Sequence, residues 1–230
     1  MSAATISLER NLEEVRARIA GAARGAGRDP SEVTLVAVGK TFGLDALVAA
    51  IEAGATDLGE NRAQEFRDKF AALGPRVRWH FVGHLQTNKV RNVVGNAALI
   101  HSLDRPALAE AVARRARTLG IVQDVLIEVN LGGERSKHGV EPGRALDLAV
   151  SAAELQGVSV RGLMAIPPMD PDPEAARPHF RKLSEMSAQL TERLPDARDL
   201  SMGMSHDLEV AVQEGATIVR VGEAIFGPRS

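Results

Sequence analysis

A two-part unit recurs along almost the whole chain, and it leaves very few folds open. Each unit is a short apolar, β-branched run, then a loop, then a segment with the spacing of an amphipathic helix. Strands are predicted at 33–38, 56–58, 77–81, 99–102, 122–129, 158–163, 199–200 and 217–221. Helices are predicted between them at 44–53, 63–73, 89–94, 106–119, 143–155, 174–193 and 207–214. Strands separated by helices pair in parallel, because a parallel pair needs a crossover. Several of these strands are apolar throughout, as strands covered on both faces are. One more helix precedes the pattern: Leu8, Leu12, Val15, Ile19 and Ala22 share a face within 6–26.

An open doubly wound sheet and a closed barrel both satisfy this alternation. Eight strands in 230 residues favour the (β/α)8 TIM barrel, and no G-x-G-x-x-G follows the first strand. The proline-rich stretch from Pro167 to Pro173 lies between a strand and a helix, so it reads as a βα loop rather than a domain boundary. The expectation is an α/β protein: one TIM-barrel domain over 1–230 with an extra N-terminal helix.

Composition removes several functions. A net charge of −2 without a basic block, and only 3% aromatic residues, argue against nucleic-acid binding. No cysteine is present, so disulfides and thiolate chemistry are excluded. No apolar stretch approaches the ~20 residues that span a bilayer, and the first ten residues lack a signal-peptide pattern. A cytoplasmic protein without membrane contact is expected.

A TIM barrel collects its chemistry at the C-terminal strand ends. The first strand delivers Lys40, where burial favours the neutral, nucleophilic amine. The second delivers Gly59, Glu60 and Asn61; the third His80 and then His84; the sixth Met164. The seventh leads into Ser201, Gly203 and Ser205, and the eighth into Arg220 and Gly222. The loops after strands seven and eight commonly cradle phosphate in this fold, and Ser205 reads as the N-cap of the next helix. Arg220 can only donate hydrogen bonds, so beside a pyridine nitrogen it would keep that nitrogen unprotonated. An amine at one end and an anion cradle at the other suggest pyridoxal 5′-phosphate (PLP) held as a Schiff base. Each residue also has an ordinary reading: Lys40 as a surface lysine, the serine loop as a turn, Arg220 as a rim ion pair, Asn61 as a helix cap, Met164 as core. His80 and His84 stand at helical spacing in a strand-then-loop segment, so they are not expected to share a metal, and no metal site is expected.

The chain resembles the PLP-binding, PLP-homeostasis family (YggS/PROSC type). The matching segments run in order: Leu35 to Thr41; Gly59, Glu60 and Asn61; Trp79 to Gln86 with Asn88 to Val90; His101 to Asp104; Val129 to Gly133 with Ser136 and Lys137; Gly162 to Pro167; Leu200 to Ser205; Val219 to Gly222; and Ala224 to Gly227. Gly39 replaces a usual serine, and Phe42 with Gly43 a usual basic-proline turn. The resemblance implies a monomeric barrel like the N-terminal domain of alanine racemases. It implies Lys40 as the Schiff-base lysine, Ser201, Gly203, Ser205 and Gly222 around the phosphate, Arg220 near the pyridine, and Asn61 and Met164 lining the ring. It implies a carrier that holds PLP and delivers it to PLP-dependent apo-enzymes, without robust catalysis. The alternatives are a racemase-like PLP enzyme and a cofactor-free lysine aldolase. Alanine racemases use a tyrosine as second base and carry a further β domain; this chain contains no tyrosine and ends soon after strand eight. The segment 132–137 is expected to be a mobile loop over the mouth.

Overall fold

The computed structural model describes residues 3–133 and 138–228, with side chains from residue 7 onward. Of the loop expected at 132–137, residues 134–137, with Ser136 and Lys137, lie outside the described residues.

Eight parallel strands close into a barrel in chain order: β1 Thr34–Val38, β2 Asp57–Glu60, β3 Arg78–Phe81, β4 Leu99–Leu103, β5 Gln123–Val129, β6 Val158–Ala165, β7 Asp199–Ser201 and β8 Ile218–Val221. The first and last strands seal the cylinder, with Thr34 beside Ile218 and Val36 beside Arg220. Around it run α2 Leu44–Glu52, α3 Ala63–Leu73, α4 Pro106–Leu119, α5 Pro142–Ala153, α6 Arg177–Arg193, α7 Leu208–Gln213 and the short α8 Glu223–Phe226. Only the β3–β4 crossover departs from the expected α-helix. It is a 3-10 segment, Thr87–Asn92, in keeping with the preference of 3-10 geometry for short connectors.

The extra helix α1, Ala3–Gly25, lies on the outside. Its stripe of Leu8, Leu12, Val15, Ile19 and Ala22 is buried, against α2, α7 and α8. Full burial of such side chains is worth ~1.5–3 kcal/mol each, so the helix belongs to the barrel's outer layer.

Alternation along the strands creates two interiors. Most apolar side chains point outward and meet the helices. A smaller set, Val36, Val38, Leu99, Leu126, Met164 and Ile218, points inward. The same inward rows carry polar residues further along, and these build the site.

Candidate functional site

Lys40 follows β1 in a turn held from three sides. The Gly39 N–H donates to the Gly59 carbonyl at 3.0 Å. The Gly39 carbonyl accepts from the Phe42 N–H at 3.2 Å and from Lys69 Nζ at 3.1 Å. Phe42 stacks on Phe226, ring centroids 5.0 Å apart. Thr41 has φ +70°, the one non-glycine residue with positive φ among those described. A β-branched residue there is strained, and strain of this kind gathers where a side chain must be aimed.

Lys69 comes from α3 and is buried. Its ammonium pairs closely with Glu60 and reaches Glu65 at 3.4 Å. Glu60 returns its other oxygen to the Asn61 N–H at 2.6 Å. One buried ion pair thus joins the backbone before Lys40 to the backbone of Asn61. Asn61 does not cap α3: Arg62 holds the N-cap position and no side chain caps it. A Cβ on Gly83 would lie 2.0 Å from the Asn61 carbonyl oxygen, so only glycine permits this close packing.

At the other end, Arg220 is buried inside the barrel. It donates from Nη2 to the Ala165 carbonyl at 3.0 Å and from Nη1 to Ser201 Oγ. From Ser201 a string of contacts crosses the interior. His101 Nδ1 lies 2.8 Å from Ser201 Oγ, His101 Nε2 lies 2.9 Å from His80 Nδ1, and His80 Nε2 lies 2.9 Å from Asp57 Oδ1. Arginine only donates and an ionised aspartate only accepts, so Ser201 accepts from Arg220 and His80 donates to Asp57; a row in which Ser201 gives to His101 and His101 to His80 satisfies every contact between them. Burial, with His80 and Arg220 nearby, holds His101 well below the ordinary histidine range. Burial pushes Asp57 up, but hydrogen bonds from His80 and Thr56 outweigh it and leave the carboxyl lowered. Burial lowers Arg220 to about 10, still charged at neutral pH.

Ser201 is fully buried, its hydroxyl between Arg220 and His101. Met164 is fully buried in the inward apolar set.

The two anion-loop candidates meet. Ser205 does not cap α7; Asp207 holds that position and takes the Met204 N–H at 2.6 Å. Ser205 Oγ instead accepts the Ala224 N–H at 3.2 Å, tying the loop after β7 to the loop after β8. Gly203 has φ +91°, and a Cβ there would strike Ala211 Cβ at 2.5 Å. Gly222 holds the N-cap position of α8. Behind them, Arg18 of α1 donates to the Ser205 carbonyl at 2.9 Å and grips Glu209 with two bonds of 2.6 and 2.8 Å.

Glu128 is a member of the site that its sequence position does not announce. It projects from β5, and its Oε2 has no hydrogen-bond partner among the described residues. Burial, then Asp104, raise its pKa to about 7, against the pull of Arg220.

A lysine after β1, a charged donor on β8 and two linked glycine-containing loops fit a ligand with a carbonyl at one end and an anion at the other. Fold and residues together define a barrel of the alanine racemase N-terminal class, and the model of that domain matches residues 7–230. Within that class, the chain belongs to the family of pyridoxal phosphate homeostasis proteins. The Aquifex aeolicus protein of that name is 48% identical over 220 residues, covering 95% of this chain and 96% of its relative. PipY of Synechococcus elongatus, solved with PLP bound, superposes with a TM-score of 0.83 at 35% identity, covering 96% of this chain and all of PipY. A Clostridium difficile alanine racemase shares the fold alone: TM-score 0.76 and 14% identity, over 97% of this chain and 57% of the racemase.

Proposed function

We propose that this chain binds PLP as a Schiff base on Lys40 and acts in PLP homeostasis, holding the cofactor and releasing it to apo-enzymes without robust turnover of its own. The observation that carries the reading is the linked pair of loops. Ser205 Oγ joins the β7 loop to Ala224 after β8, so Gly203, Ser205 and Gly222 form one anion cradle beside the strand that ends in Lys40. Bound there, the cofactor supplies an aldehyde carbon and a conjugated pyridine ring. The protein's own groups do the rest. Lys40 would hold the cofactor through its amine, which must be neutral to bond the aldehyde carbon. Arg220, bonded to Ser201 and the Ala165 carbonyl, would face the ring nitrogen as a donor and leave it unprotonated, a weaker electron sink. Asn61 and Met164 would line the ring. The absence of tyrosine removes the second base that racemases employ, and this favours a carrier over a racemase-like enzyme.

The test is an absorbance spectrum of the protein as isolated, followed by borohydride reduction and peptide mapping. The expected result is a yellow chromophore and a pyridoxyl adduct on Lys40, both lost in Lys40→Ala. An adduct elsewhere overturns the assignment. Turnover of alanine or serine enantiomers at ~1 s⁻¹ or faster overturns the carrier reading.

A further inference from the structure

Three potential metal ligands outside the cofactor residues converge at the barrel mouth. His84 lies in the loop after β3, Asp104 at the end of β4, and His138 in the connection after β5. Their ligand atoms all lie within 4.8 Å of one another. The His84 and His138 rings stack with centroids 3.8 Å apart. His84 Nδ1 is buried without a hydrogen-bond partner among the described residues, 3.5 Å from Asp104 Oδ2. The sequence argues against pairing His84 with His80, and the structure sends His80 inward to Asp57 and His101. The partners His84 does have come from two other loops, which no local spacing announces.

We propose that His84, Asp104 and His138 form a binding site for a first-row divalent transition-metal ion such as Zn2+. Two imidazoles and a carboxylate are the donor set such ions prefer, and they leave a fourth position open. Tetrahedral coordination at ~2.0–2.1 Å sets the ligand nitrogens roughly 3.4 Å apart. The present spread needs only side-chain rotation, and His138 is exposed and free to unstack and swing toward His84. Burial and the neighbouring His138 hold His84 below the ordinary histidine range. Arg105, in close contact with Asp104 Oδ1 and bonded to the Leu85 carbonyl at 3.1 Å, opposes the ion's charge. An ion held here would clasp three βα loops of the mouth together.

The test is titration of the full chain, dialysed against EDTA and then against chelator-free buffer, with ZnCl2 in a calorimeter. One saturable site is expected, with a melting temperature that rises with zinc concentration. His138→Ala and His84→Ala should each weaken binding by at least about tenfold, while His179→Ala on α6 leaves it unchanged. Co2+ in place of Zn2+ should give a visible absorption band that His138→Ala abolishes. His138 is exposed, so its loss leaves folding intact, and circular dichroism in EDTA verifies this. Absence of saturable binding, or binding that neither variant weakens, overturns the proposal.

Discussion

The Lys40 end and the Arg220 end of the site are held in place by opposite physical means. Around Lys40 the support is ionic and lies between barrel and helices: Lys69 and Glu60, buried together, fix the Gly39 carbonyl and the Asn61 N–H. Around Arg220 the support lies inside the barrel and consists of neutral groups, Ser201, His101 and His80, with a charge only at each end. A buried ion pair is tolerant while complete and costly when halved, since the survivor is an uncompensated charge. A neutral string fails more gently, one hydrogen bond at a time. The Lys40 end therefore rests on the more brittle support.

The sharpest way to break this contrast is Lys69→Met. It strands Glu60 in the wall and should cost about 3–5 kcal/mol in urea denaturation, with loss of adduct formation at Lys40. A cost below about 1 kcal/mol would place the two supports on equal footing.

Next in size is Glu128→Gln. The folded pKa of about 7 lies above the ordinary 4.5, so the unfolded chain releases this proton first. Stability is full below the unfolded pKa and declines as pH rises toward 7. The glutamine variant lacks that decline. Relative to the parent it should gain about 3 kcal/mol between pH 4 and pH 8, read from denaturation curves at each pH. A parallel pH dependence in both proteins would show that Glu128 does not titrate in this window.

Ser201→Ala tests the neutral string. Removing the hydroxyl between Arg220 and His101 should cost about 1–3 kcal/mol and loosen PLP without abolishing the Lys40 adduct. Complete loss of the adduct would mean that the string governs the Lys40 end as well. The smallest effect is expected from Arg18→Ala, whose partly exposed pair with Glu209 is worth under about 1 kcal/mol. Its signature is selective: PLP should weaken while pyridoxal, which lacks the phosphate, binds as before.

The sequence makes the barrel legible because strand and helix periodicities are local. α3 and α4 carry the predicted limits, 63–73 and 106–119. Lys40 stands out because it ends a mostly apolar run, and Arg220 because it is the one charge within the strand Ile218–Val221. The supports are less legible because their partners are distant in the chain. His101 meets Ser201 across 100 positions, and nothing near either residue foretells it. Lys69 left a faint signal: it falls on the buried stripe of α3 between Phe66 and Leu73, where a lysine needs an anion. Ser205 reads as a cap because serines usually cap, but in the fold a different donor, the Ala224 N–H, arrives first.

The string from Arg220 to Asp57 has a direction. In the row that satisfies every contact, each member gives to the next toward β2, and none can give back unless the whole row turns over at once. Passing a proton along it would require an imidazolium at His101, a form that burial disfavours. The barrel interior therefore behaves as a latch that holds one arginine in one orientation.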